Sequence, residues 1–148
     1  MRVRDVMSSD VKIAHPDQPI QEAARLMAAL DAGVLPVGEE DRLVGVITDR
    51  DIAVRAVALG KTPVTPIRDV MSSEVKHCFD DEEVDDVMEN MADIQVRRLP
   101  VVNRDKRLVG IVSLGDIAVC DGRADTGTAL RGISTAGGMH SQSAENAI

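Results

Sequence analysis

The sequence predicts a mixed α/β (α+β) fold built from two tandem, pseudo-symmetric β-α-β-β-α units packed on each other. Three observations predict it. Arg4-Asp-Val-Met-Ser-Ser-Asp-Val-Lys12 returns as Arg68-Asp-Val-Met-Ser-Ser-Glu-Val-Lys76, and Leu35-Pro-Val37 returns as Leu99-Pro-Val101, both at an offset of 64 (68 − 4 and 99 − 35). Leu43-Val-Gly-Val-Ile-Thr-Asp-Arg-Asp-Ile-Ala-Val-Arg55 returns as Leu108-Val-Gly-Ile-Val-Ser-Leu-Gly-Asp-Ile-Ala-Val-Cys120 at an offset of 65 (110 − 45 at the shared glycine), so one residue has entered the loop ahead of it. Short apolar runs alternate with stretches of helical period in both copies. An internal repeat of this clarity means two copies of one supersecondary unit. Neither half, at about 60 residues, buries enough apolar surface to stand alone.

In the first unit, residues 1–60, a short helical piece at 4–7 precedes the turn Ser8-Ser9-Asp10 and a strand predicted at 11–14. His15-Pro-Asp-Gln-Pro19 breaks the chain and starts a helix, with Pro19 suited to its first turn. Ile20, Ala23, Ala24, Met27 and Leu30 form one apolar face of that helix, which Ala32-Gly33 ends. A strand at 34–37, a polar hairpin loop at 38–42 and a strand at 43–47 follow. A second helix is expected from about Arg50 to Leu59, closed by Gly60. Residues 61–67, with Pro63 and Pro66, read as a linker.

The second unit, residues 68–120, repeats the order: a strand at 75–78, a helix with Val84, Val87, Met88 and Met91 on its apolar face, and a hairpin from 96–102 to 107–112. The acidic run Asp80-Asp-Glu-Glu-Val-Asp-Asp86 complements the N-terminal end of that helix, and it lacks the spaced oxygen ligands and central glycine of a calcium loop. Residues 121–148, rich in Gly, Ser, Ala and Thr, read as a tail with one helical turn around 128–133 and a flexible remainder.

Composition narrows the function. With one Phe and no Trp or Tyr, the core has to be aliphatic, and base-stacking platforms for single-stranded nucleic acid are missing. A net charge of −8 argues against a phosphate backbone or an anionic membrane as partner. No apolar run approaches the roughly 20 residues of a membrane span, and Met1 to Met7 carries no apolar leader pattern, so a cytoplasmic location is expected. His77, Cys78 and Cys120 show no tetrahedral ligand spacing, and no metal is expected. There is no nucleophile elbow, P-loop or His-Glu-x-x-His, so enzymatic activity is not expected.

The candidate chemistry lies where the third strand of each unit meets its last helix. Thr48 stands three residues before Asp51, and Ser113 three before Asp116. Such a pair is a plain helix cap. It is equally a place to hold a polar ligand, since a carboxylate accepts two vicinal hydroxyls and a hydroxyl meets phosphate. Gly45 and Gly110, inside strands, permit close backbone approach.

Two β-α-β-β-α units, each with Asp-Val-Met-Ser-Ser in front, Leu-Pro-Val in the middle and Gly-h-h-(Ser/Thr)-x-x-Asp at the end (h apolar), resemble a CBS-domain pair, or Bateman module. Lacking an attached enzyme or transporter, the arrangement is similar to stand-alone two-CBS proteins, including the bacterial hypoxic-response type. The resemblance implies regulatory binding of an adenosine-containing ligand (AMP, ADP or ATP, with NAD(H) or S-adenosylmethionine in some members) in the cleft between the repeats. It requires no cofactor besides. It implies that Asp51 and Asp116 bond ribose hydroxyls, that Thr48 and Ser113 meet phosphate, and that Arg98 reaches phosphate; Val34 replaces that arginine in the first repeat. Arg50, next to Asp51, is a further phosphate candidate. Ile13 and His77 stand where members often place a threonine against adenine or ribose. The family also implies a homodimer and a protein partner that the sequence does not identify. The alternative is a ligand-free dimerisation or interaction scaffold, redox-responsive through Cys78 or Cys120, whose pairing the sequence leaves open.

Overall fold

A computed structural model of the chain describes residues 1–120 and 125–135. The expected flexible remainder of the tail lies outside the described residues. The chain forms two compact units, and they do not follow the repeat boundaries. The central unit holds Lys12–Lys76 with Lys106–Leu108. The flanking unit holds Met1–Val11, His77–Asp105 and the described residues from Val109 to 135. The repeat-leading segment at 1–11 is thus built into the unit of the second repeat, and its copy at 68–76 into the unit of the first.

In the central unit, α2 (Ile20–Leu30) precedes β1 (Val34–Glu39) and β2 (Arg42–Thr48), which pair antiparallel with Leu35 opposite Ile47 and Pro36 opposite Val46. The strand predicted at 11–14 is reduced to one residue. Ala14 alone pairs with β1: its N–H donates to Pro36 O (3.0 Å), and its carbonyl accepts from Gly38 N–H (2.8 Å). Lys12 and Ile13 are exposed, so no alternating buried face extends the pairing. Pro19 is the N-cap of α2 and supplies no side-chain bond. The linker does the capping instead, because Thr65 O and Pro63 O accept from the N–H groups of Ile20 (2.9 Å) and Gln21 (3.2 Å).

The second helix of this unit is expected as one regular helix. It begins as an α-turn, α3 (Asp49–Asp51), becomes a π-helix over Ile52–Ala56, and tightens to a 3₁₀ turn over Val57–Leu59. Gly60 closes it at φ 73°, as its position predicts. A 3₁₀ turn at Ile67–Asp69 stands where a short helical piece is expected. The core is aliphatic, centred on Leu35, Val37, Ile47, Met27, Ile67 and Val70.

The flanking unit opens with α1 (Val3–Val6). The predicted strand at 75–78 is shorter and later, as β3 (Cys78–Phe79), and lies parallel to β4 (Arg98–Val102) with Cys78 opposite Val101. The sheet order is β3-β4-β5, where β5 is Leu108–Ser113. Lys76 and His77 are exposed, which stops β3 from extending backward. The helices are α4 (Val84–Ile94), α5 (Leu114–Cys120) and α6 (Thr126–Ile133), the last near the helical turn expected at 128–133. Here too the leading segment caps a helix: Met1 O accepts from Val84 N–H (2.9 Å). Val3, Val6, Met91, Leu99, Val112 and Ile117 lie in this core, and neither core holds a buried polar or charged side chain among the described residues.

The first helix is expected to end at Ala32-Gly33, yet it ends on Asp31, at φ 52°. Gln95 does the same after α4, at φ 57°. Both close the helix in the left-handed region, where glycine is the usual residue. Gln95 has a compensation, since its Nε2 donates to Gly132 O and Thr135 O (3.2 and 3.1 Å). Asp31 has no bond of that kind among the described residues, so Asp31→Gly is expected to stabilise the fold by about 0.5–1 kcal/mol. A rise in thermal midpoint checks this.

Candidate functional site

The two strand-to-helix junctions are built alike. At the end of β2, Thr48 N–H donates to Asp51 Oδ2 (2.9 Å), and Asp51 N–H donates to Thr48 Oγ1 (3.0 Å). At the end of β5, Ser113 N–H donates to Asp116 Oδ2 (3.1 Å), and Asp116 N–H donates to Ser113 Oγ (3.0 Å). Both are capping boxes, so the capping reading of these residues is correct in each repeat. The boxes do not exhaust them. Each carboxylate keeps Oδ1, each hydroxyl keeps its proton, and all four residues are half-buried rather than sealed.

The residue that leads into the neighbouring strand meets each junction through the backbone. Gly33 O accepts from Asp49 N–H (2.9 Å), and Arg97 O accepts from Leu114 N–H (2.9 Å). Arg98, exposed at the start of β4, is the residue that follows the second of these bonds; Val34 has that position in the central unit. A Cβ at Gly33 would meet Asp49 Oδ2 at 2.8 Å, which explains a small residue there. Arg50 is exposed, and its N–H donates to Asp49 Oδ1 (2.8 Å).

Ile13 and His77 each have neighbours outside the box of their own unit. Ile13 lines a cavity of about 340 Å³ with Ala14 and the α2 residues Glu22, Ala23, Arg25 and Leu26, which includes none of Thr48, Arg50 or Asp51. His77 stands edge-on to Phe79, ring centroids 5.5 Å apart, and Arg104 lies 4.1 Å above the same ring while gripping Asp81 through two bonds (2.8 and 2.7 Å). That fork holds the Asp81 carboxyl below its usual range.

Two features escaped the sequence reading. Arg55 Nε lies 3.9 Å from Asp51 Oδ1, and its Nη1 donates to Val70 O and Met71 O (3.4 Å each). The second repeat has Cys120 at that position. The other feature is a clasp. Gly45 lies under the thioether of Met71, and Gly110 under that of Met7, so that a Cβ at either glycine would fall 2.6 Å from sulfur. The Met-Ser pair of each repeat leader was the visible signal, without its destination.

One cluster among the described residues could gather a cation: His15, Asp17 and Glu39 each place a ligand atom within 4.8 Å of the others. Asp17 is already gripped by Arg68 (2.8 Å), which holds its carboxyl below the usual range, and Asp17 N–H donates to His15 Nδ1 (3.1 Å). Two of its three groups, Asp17 and His15 Nδ1, therefore already have partners. Both cysteines are free thiols. Among the described residues no helix is long and apolar enough to cross a membrane.

The repeated junction, the Leu-Pro-Val strands and the repeat leaders are those of tandem CBS domains. The sequence matches the CBS domain family over residues 3–57 and 67–120, and the chain belongs to that family. It is 44% identical over 133 residues to the CBS domain-containing protein YhcV of Bacillus subtilis, covering 89% of this chain and 94% of that protein. It is 36% identical over 117 residues to hypoxic response protein 1 of Mycobacterium tuberculosis (78% and 81%). The crystal structure of Hypoxic Response Protein I with two coordinated zinc ions superposes with a TM-score of 0.72 at 34% identity, over 80% of this chain and 98% of that one. The CBS domain pair of protein MJ0100, in complex with 5′-methylthioadenosine and S-adenosyl-L-methionine, gives 0.71 at 35% identity (82% and 96%).

Proposed function

We propose that this chain is a regulatory module that binds an adenosine-containing ligand at its strand-to-helix junctions and passes the binding event to a partner. The observation that carries the reading is the twofold hydroxyl–carboxylate box that leaves one carboxylate oxygen outside it, in a chain 35% identical to a CBS pair crystallised with two adenosine compounds. In this reading Oδ1 of Asp51 and of Asp116 accepts from ribose hydroxyls, while Thr48, Arg50, Ser113 and Arg98 meet phosphate where the ligand carries one. Ile13 and His77 belong to the reading as the weaker adenine or ribose contacts. The module acts by binding and needs no cofactor. Homodimerisation belongs to the same reading, and a monomer mass by light scattering at working concentration would remove it.

Calorimetry with AMP, ADP, ATP, NADH, S-adenosylmethionine and 5′-methylthioadenosine tests the proposal. At least one compound is expected to stabilise the fold, by about 2.7 kcal/mol at 100-fold excess over Kd. Asn at 51 or 116 keeps the capping box, because its oxygen still accepts from the N–H, and turns the free acceptor into a donor. Asp116→Asn or Asp51→Asn is therefore expected to weaken binding at its own junction about 10- to 100-fold with the fold intact. Silence across the panel at millimolar concentration, or wild-type affinity in the doubly substituted protein, refutes the reading.

A further inference from the structure

The two junctions share their capping boxes and clasps, and one of the side chains in which they differ is that of Arg55, against Cys120. In the central unit, Arg55 stands 3.9 Å from the carboxylate oxygen that the box leaves free, and its other end reaches two carbonyls of the segment leading the second repeat, Val70 O and Met71 O. That segment is held by a reciprocal backbone pair: Ser72 N–H donates to Val46 O and Val46 N–H to Ser72 O (2.9 Å each). The flanking unit repeats the pair, as Ser8 with Ile111 (2.8 and 2.9 Å), but has Cys120 where the arginine would be. The helix that carries Arg55 is π-wound over Ile52–Ala56, whereas its counterpart α5 is a plain α-helix. Single π-turns recur at functional positions in helices. The Arg55 side chain is half exposed, and its bonds to the carbonyls are long (3.4 Å each).

We propose that Arg55 is a positioning residue that ties Asp51 to the Val70–Met71 segment, so that occupancy of the first-repeat junction, and not of the second, is transmitted to the leader of the other repeat. The transmission rests on the adenosine reading above; the tie between Asp51 and Arg55 does not. A ligand that engages Asp51 Oδ1 displaces or recruits the guanidinium and so alters its hold on the two carbonyls. Coupling then arises from two groups competing for one cation, a physical contact and not a matter of proximity along the chain.

Amide hydrogen exchange on the full chain tests this, read at Ser72 and Val46 with Ser8 and Ile111 as internal controls. Arg55→Gln is expected to speed exchange at Ser72 about fivefold, the factor of one net hydrogen bond, with Ser8 unchanged. Asp51→Asn is expected to speed it less, and the double substitution to match Arg55→Gln alone, because the carboxylate acts through the arginine. A purely structural arginine would give additive effects; additivity, or an unchanged Ser72, overturns the tie. The ligand arm uses whichever compound stabilises the protein in the calorimetric panel. It is expected to shift exchange at Ser72 in the wild type, and in Arg55→Gln to keep stabilising the fold while leaving Ser72 still. Binding that Asp51→Asn leaves unweakened, or binding at that junction without any wild-type response at Ser72, overturns the transmission and leaves the adenosine reading standing. If no compound binds, the adenosine reading and the transmission fall together, and the mutant cycle alone decides the tie.

Discussion

Gly110→Ala is expected to destabilise the protein by about 2–3 kcal/mol, while Gly115→Ala, five residues later, stabilises it by ~0.5 kcal/mol. A Cβ at Gly110 would lie 2.6 Å from Met7 Sδ and 2.8 Å from Ser8 O. The thioether can rotate away. The carbonyl cannot, because Ser8 O accepts from Ile111 N–H (2.9 Å) and Ser8 N–H donates to Ile111 O (2.8 Å). Making room means lengthening that reciprocal pair, and the added methyl group then costs packing and hydrogen bonding together. Reduced freedom of the unfolded chain returns only about 0.4–1 kcal/mol. Gly45→Ala meets the same arrangement with slightly more room, Ser72 O at 3.0 Å, and is expected to cost less. At Gly115 the nearest atom is Ser113 Oγ at 3.7 Å, an ordinary contact, so helix propensity decides the sign. Denaturant midpoints of the three variants check the ranking; a Gly110→Ala midpoint at or above wild type would mean that the clasp is not as described.

Those glycines also show how far the sequence could be read. That Gly45 and Gly110 serve close approach was legible from their place inside apolar strands. What approaches them was not, and the reason is chemical. Arg4-Asp-Val-Met-Ser-Ser9 and Arg68-Asp-Val-Met-Ser-Ser73 are identical, so either leader fits under either glycine, and no residue preference decides which half each one completes. The structure builds the first leader into the unit of the second repeat. The hydroxyl-x-x-Asp spacing announced the capping boxes but left capping and ligand binding undivided, since both use the same atoms. Ile52 to Ala56 reads as ordinary amphipathic helix, because π-winding has no residue signature of its own. Asp31 and Gln95 carry no glycine to mark a left-handed stop, and the end of the first helix is displaced to Ala32-Gly33 in a sequence reading for that reason. Nothing in the sequence marks Arg55, because its meaning depends on Asp51 and two backbone carbonyls fifteen and sixteen residues away.

Above about pH 9 the protein is expected to lose stability through one buried thiol, with a slope approaching ~1.4 kcal/mol per pH unit. Cys78 is 2% exposed at the start of β3, and burial, with a lesser push from the Glu82 carboxylate, raises its thiol to about 12. A group whose folded pKa is raised contributes stability that is complete below its unfolded pKa and fades as pH climbs to the folded value. The window therefore runs from about 9, where the unfolded chain begins to release the proton, to about 12, where the folded chain follows. The chain has no tyrosine, so no phenol titrates across that window. Cys78→Ala removes the titrating group, and its pH profile is expected to be flatter above pH 9 by this contribution, at a lower baseline from the lost packing. The same burial predicts selective chemistry, since the thiolate is the nucleophile and a rise from 9.0 to about 12 cuts its population about a thousandfold at neutral pH. A maleimide at pH 7 is expected to label the exposed Cys120 promptly, and Cys78 only at the rate at which the flanking unit opens. Equal labelling of both in the native protein, or parallel pH profiles for wild type and Cys78→Ala, would show that the thiol is not sealed in the core. Selective labelling would give any oxidant-driven behaviour of the chain one accessible thiol to act through, Cys120, which in the second repeat takes the place held by Arg55 in the first.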